Sequence, residues 1–98
     1  MAADVLLANA KVDTVGADFS IRIIGSQIPP AKMSIQIAVT GKAQVEIQGR
    51  LHKSAPWAKI VSARESCLLY IDPINALRAV TTETSTDSSV SVWAAWGV

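Results

Sequence analysis

The stretch S-I-Q-I-A-V-T-G-K-A-Q-V-E-I-Q-G, Ser34 to Gly49, carries two runs of strict apolar/polar alternation joined at Thr40-Gly41-Lys42. Successive side chains of a strand point to opposite sides. Ile35, Ile37 and Val39 therefore share one face of a first strand, and Val45 and Ile47 share one face of a second. A helix would scatter these residues around its axis. The glycine between the runs suits a short connection whose backbone needs positive φ, so the stretch predicts a β-hairpin.

The same reading extends in both directions. Asp4 to Asn9 is a short apolar run that reads as an edge strand or an arm, and Lys11 to Gly16 is polar and turn-like. Phe19 to Ile23 alternates and predicts a strand, closed by Gly25-Ser26 and by Pro29-Pro30, where a regular ladder cannot continue. Arg50 to Pro56 reads as a loop before Trp57, and Ile60-Val61 is a short apolar pair. Cys67 to Ile71 is continuously apolar, the pattern of a strand covered on both faces. Asp72-Pro73 ends it; Ala76 to Thr82 predicts a further strand, and T-E-T-S-T-D-S-S is a polar connection.

Val90 to Trp96 is the last strand. Val90, Val92, Ala94 and Trp96 take one face, while Ser91, Trp93 and Ala95 take the other. A Trp on each face implies either that both faces are covered within the domain or that one ring is covered by a neighbouring chain. About seven short strands separated by turn signals, with no amphipathic helix, predict an all-β fold. The expected architecture is one antiparallel β-sandwich or small barrel, jelly-roll-like, over residues 1–98, with residues 1–16 as an arm or edge strand.

Composition narrows the functional classes. The chain has 98 residues, a formal net charge of +1 and half its residues hydrophobic. A core of that size is modest, and contacts in an oligomer can supplement it. Charge is spread without runs, which supports neither a nucleic-acid groove nor a polybasic membrane patch. Cys67 is the single cysteine, so no disulfide forms within the chain, which suits a reducing cytoplasm. Asp4 stands where a signal peptide would carry positive charge, and no apolar run approaches the roughly 20 residues of a membrane span.

No catalytic set assembles from the sequence. His52 is the lone histidine, and Cys67 opens an apolar run where inert, buried thiols are usual. Glu46 alternates out of a strand, Asp72 precedes a proline and Asp87 lies in a Ser/Thr loop, so each carboxylate has an ordinary role. The glycines are too far apart to cradle phosphate, and one His with one Cys is too few for zinc. The reading is a non-enzyme without cofactor or metal. A sugar platform at Trp57 is the alternative for the exposed rings, against burial of Trp57 at the open end of the sandwich.

V-E-I-Q-G-R-L-H-K-S-A-P-W-A-K-I (Val45 to Ile60), then L-L-Y-I-D-P-I-N-A-L-R-A-V and the terminal S-S-V-S-V-W-A, resembles small β-sandwich virion proteins of tailed bacteriophages. The shared pattern is a strand ending in glycine, a loop, a Trp with a hydrophobe three residues on, and a polar turn into a V-x-V strand. One departure is Lys53-Ser54-Ala55-Pro56 in place of the Asp-Gly turn that often precedes the Trp. The resemblance implies a capsid decoration or cement protein that is assembled in the host cytoplasm and resides on the capsid surface. Its implied partners are itself, with a trimer at local symmetry axes as one arrangement, and the major capsid protein; a tail or baseplate subunit is the alternative. Leu6, Leu7, Trp57, Trp93 and Trp96 are the expected interface residues.

Overall fold

The computed structural model describes residues 2–20, 33–72, 74 and 76–96; the expected turn at Gly25-Ser26, Pro29-Pro30, Pro73 and the end of the Phe19 to Ile23 strand lie outside them. Among the described residues eight strands follow in chain order: β1 (Ala2–Ala10), β2 (Phe19–Ser20), β3 (Met33–Thr40), β4 (Gln44–Arg50), β5 (Ala58–Ala63), β6 (Cys67–Ile71), β7 (Ala76–Thr82) and β8 (Ser89–Trp96). They form two four-stranded sheets, β1-β8-β3-β6 and β2-β7-β4-β5, and every pairing is antiparallel. The expected all-β antiparallel sandwich is the fold.

The strands pair as a nested set: β4 with β5, β3 with β6, β2 with β7 and β1 with β8. This is one long hairpin wound around a core, the winding of a jelly roll. Its tip is the β4–β5 connection. Ser34 to Gly49 is therefore not a hairpin: β3 belongs to one sheet and β4 to the other. Gly41-Lys42-Ala43 carries the chain between sheets as an arch, with Gly41 at φ +80°. Alternation leaves both arrangements open, because an odd-numbered connection preserves parity. Ile35, Ile37 and Val39 face Ala43, Val45 and Ile47 equally well across a ladder or across a core.

The core fills the space between the sheets. Met33, Ile35, Val45, Ile47, Leu77, Ala79, Val90, Val92 and Ala94 are wholly buried, so strict alternation in β3, β4, β7 and β8 points one residue in two inward. Burying each larger aliphatic chain stabilises the fold by about 1.5–3 kcal/mol. The faces that the alternation shared out, Ile35, Ile37 and Val39 on β3 and Val45 and Ile47 on β4, are the ones turned to the core.

β1 departs from strict alternation. Its register against β8 shifts between Val5 and Leu7 and again between Leu7 and Ala10. A bulge sets two residues against one on the partner strand, and it turns both Leu6 and Leu7 into the core. The run is an edge strand of its own sandwich.

β6 was expected to be covered on both faces. It lies instead at the edge of its sheet, with Leu68 and Tyr70 exposed on the outside and Cys67 and Leu69 packed against the core. An apolar run five residues long does not by itself say whether a second layer covers its outer face.

The segment before β2 lies along β7. The backbone N–H of Gly16 donates to Ala79 O at 2.7 Å, and that of Thr81 to Thr14 O at 2.8 Å. Thr81, itself buried, locks this contact: the Thr14 N–H donates to its Oγ1 at 2.9 Å, and Oγ1 donates to Val12 O at 3.2 Å. Thr81→Val keeps the shape but leaves the Thr14 N–H without its acceptor. A loss of about 1 kcal/mol in urea unfolding is expected; an unchanged midpoint would show that this clamp contributes nothing. Nearby, the Thr84 N–H donates to Asp13 Oδ1 at 3.0 Å, and this bond holds the Asp13 carboxyl below the usual aspartate range.

Candidate functional site

The two outer faces of the sandwich differ in chemistry. On the β2-β7-β4-β5 sheet, the outward residues of β4 are Gln44, Glu46, Gln48 and Arg50, which alternate with buried neighbours. Register sets Gln48 beside Arg78 and Glu46 beside Ser62. The Arg78 Nε–H donates to Gln48 Oε1 at 2.7 Å, and Gln48 Nε2 donates to Glu46. Arg64 bonds Gln44 Oε1 at 2.8 Å and pairs with Glu83 at 2.7 Å. This face is a solvated polar network, the ordinary outside of an antiparallel sheet.

Trp57 belongs to that network. The Arg50 and Arg78 guanidinium carbons lie 4.4 and 4.5 Å from its ring centre, within cation–π range. Arg50 is held in turn by Asp18 at 3.1 Å and by Lys53 O at 3.2 Å. Trp57 is neither a plug at the sandwich's end nor a bare platform: its indole anchors two arginines. A pyranose seated on the ring would have to compete with these guanidinium groups.

The outer face of the β1-β8-β3-β6 sheet is of another kind. Register lines up Val5, Trp93, Gln36 and Leu68 in one row across all four strands. A second row runs Ala3, Ala95, Ser34 and Tyr70. Val5 is 50% exposed, Leu68 61%, Tyr70 67% and Trp93 38%, so the large apolar side chains stand in water. Between the rows, Ser34, Gln36, Leu68, Trp93 and the Ala94-Ala95 backbone line a shallow hollow of about 410 Å³.

No described side chain pointing out of this face is charged: Val5 on β1, Ser91, Trp93 and Ala95 on β8, Ser34, Gln36 and Ala38 on β3, and Leu68 and Tyr70 on β6. Isolated exposed hydrophobes are normal on a soluble domain. Four of them in adjoining rows of one sheet, with amides and hydroxyls as their described polar neighbours, mark a contact surface.

The expected interface residues therefore separate. Leu6 and Leu7 are core residues of this sandwich, a correction that follows from the β1 bulge. Trp57 lies on the polar face and Trp93 at the centre of the apolar one. Trp96 pairs with Met33 and Ala2 in β8, and its side chain lies outside the described residues. The structure adds Val5, Leu68 and Tyr70, which the sequence reading did not single out. The available signal was Trp93 itself: a ring on the off-phase face of β8 needs apolar neighbours, and those can come only from the flanking strands.

The groups considered for chemistry stay in local roles. His52 is exposed in the β4–β5 loop, with Nδ1 2.7 Å from Ser54 Oγ and receiving the Ser54 N–H at 3.1 Å. Cys67 is half-buried on β6 and packs against the core. Compared with known proteins, the chain matches no protein-family model and no curated sequence.

Proposed function

We propose that the protein is a structural subunit that works by surface contact within a larger symmetric assembly, of the capsid-decoration kind. The observation that carries this reading is the apolar face around Trp93, without a described charge, set opposite one that carries the charged network of Glu46, Arg50, Arg64 and Arg78. A sandwich whose core is already filled has no internal use for Val5, Leu68, Tyr70 and Trp93 in solvent. Desolvating them against a neighbour is favourable, and no described charge on the face opposes it.

Two further considerations support the decoration reading. Jelly-roll winding recurs in capsid and lectin domains, an analogy of fold alone. Of those two classes, sugar binding is the less favoured, because the one ring in a suitable loop, Trp57, stacks with Arg50 and Arg78. In the proposed role the chain binds the outer shell built by the major capsid protein, and the Trp93 face supplies the contact.

The test is co-sedimentation with assembled shells at micromolar protein. Saturable binding is expected. Trp93→Asp, which places a charge at the centre of the face, is expected to weaken it on the order of thirtyfold or more, as loss of a central aromatic anchor does. A wild-type protein that fails to sediment with shells, or a Trp93→Asp variant that binds as well as wild type, would sink the reading.

A further inference from the structure

Each sheet of an open sandwich has two edges, and an exposed edge is a template for another chain. The four edge strands among the described residues are β1 and β6 in one sheet and β2 and β5 in the other. Two are blunted, and β2 runs up to Ser20, where the described residues break off. β1 is broken by two register shifts against β8. β5 carries a register shift opposite Ile47-Gln48 and exposes Lys59 on its way to the exposed Arg64. Bulges and lysines are devices by which natural sheets discourage edge pairing.

β6 has none of them. It runs in unbroken register along β3 from Ile71 at Met33 to Cys67 at Ile37. Its sequence C-L-L-Y-I contains no charge, glycine or proline. Beside it, between β6 and the facing edge strand β5, a groove of about 390 Å³ is lined by Ile60, Val61, Leu69, Ile71 and Ile74, with Tyr70 and Asp72 adding polar groups. This unguarded edge is uncharged along its whole length.

We propose that β6 is a homodimer edge, pairing antiparallel with β6 of a second copy to join two four-stranded sheets into one of eight. The argument for a second copy is self-complementarity, since C-L-L-Y-I is apolar at every position. An antiparallel two-fold at Leu69 sets Leu69 opposite Leu69, Leu68 opposite Tyr70, and Cys67 opposite Ile71. Every cross-strand pair is then apolar, and aliphatic–aromatic pairs are among the stabilising ones. Leu68 and Tyr70, the two most exposed of the four large side chains on the Trp93 face, face each other in two of those pairs. The contact is isologous and closes at two copies, so it gives a dimer in place of the expected trimer. The pairing also makes the two Trp93 faces one continuous surface. This rests on the assembly reading above and adds its symmetry operator.

Sedimentation equilibrium on the purified chain tests it. Wild type is expected to be a dimer at tens of micromolar. Leu68→Lys/Tyr70→Lys sets like charges opposite each other twice, and is expected to raise the dissociation constant on the order of tenfold or more. Leu68→Lys/Tyr70→Glu sets unlike charges opposite each other in the same register, and is expected to recover the dimer in a salt-sensitive form. Both positions are more than 60% exposed, so circular dichroism should show all three chains folded.

A monomeric or trimeric wild type overturns the proposal, as does equal dissociation of both double variants. The assembly reading is judged separately, by shell binding. A monomer that still sediments with shells removes the edge pairing alone, and a dimer that ignores shells removes the decoration role alone.

Discussion

Truncating Ile47 to alanine is expected to cost about 3–4 kcal/mol of unfolding free energy, within the range for aliphatic-to-alanine changes in well-packed cores. Ile47 is wholly buried at the centre of β4. It pairs with Val61 of β5 on one side and Ala79 of β7 on the other. Sheet hydrogen bonds hold its backbone from both directions, so the surroundings can collapse only partly into the space left behind. A small domain has roughly 5–15 kcal/mol in total, and one substitution would remove a large part of it. Urea unfolding followed by tryptophan fluorescence measures this, with exposed Ser62 on β5 changed to alanine as the near-neutral control. A loss below about 1 kcal/mol would mean that the two sheets do not close on Ile47.

Gly41→Ala is expected to cost on the order of 2–4 kcal/mol, from two causes that add. The residue sits at φ +80°, where an L side chain costs about 1–2 kcal/mol. A Cβ there would also stand 2.8 Å from Ser88 Cα and 2.9 Å from Ser88 Cβ. Ser88 cannot yield cheaply. It is buried, its N–H and Oγ both bond Ser85 O, and the Ser85 N–H donates to Lys42 O at 2.9 Å within the arch.

Gly49→Ala gives the internal comparison. A Cβ at Gly49 meets the side-chain ends Ile60 Cδ1 at 2.8 Å and Ile74 Cγ2 at 3.2 Å, with no positive φ. Methyl ends can rotate aside, so the loss at Gly49 is expected to be the smaller. If Gly41→Ala proves the milder of the two, the arch does not pack against the β7–β8 loop as described.

These two sites also show which parts of the architecture were legible in the sequence. The inward face of β4 was readable from the alternation of Val45 and Ile47, and the two-residue period left no other strand phase available. The partners of that strand were not. β4 pairs with β5 and β7, reaching residues more than thirty positions away at Ala79 to Thr82, and alternation carries no information about which strand lies alongside. The arch at Gly41 shows the same limit, since a glycine with positive φ serves a hairpin and a crossover alike.

The contact surface follows a similar division. Trp93 on the off-phase face of β8 was legible, and so was the implication that something must cover it. Its apolar neighbours were not, because Val5 and Leu68 are separated from it in sequence and meet it only through register. Leu6 and Leu7 were expected at an interface because their run read as an arm or edge strand. The β1 bulge that turns both into the core leaves no mark in the composition.

By itself, then, the sequence determined that this chain builds strands, which residues of most strands face inward, and that one tryptophan needs a neighbour. Those are local properties, set by side-chain alternation within a few residues. Only the tertiary structure decided the nested pairing, the crossover at Gly41, the solvated network around Trp57 and the regular, uncharged edge at β6. Each depends on which strands become neighbours, and that is fixed by how both sheets bury their apolar faces together.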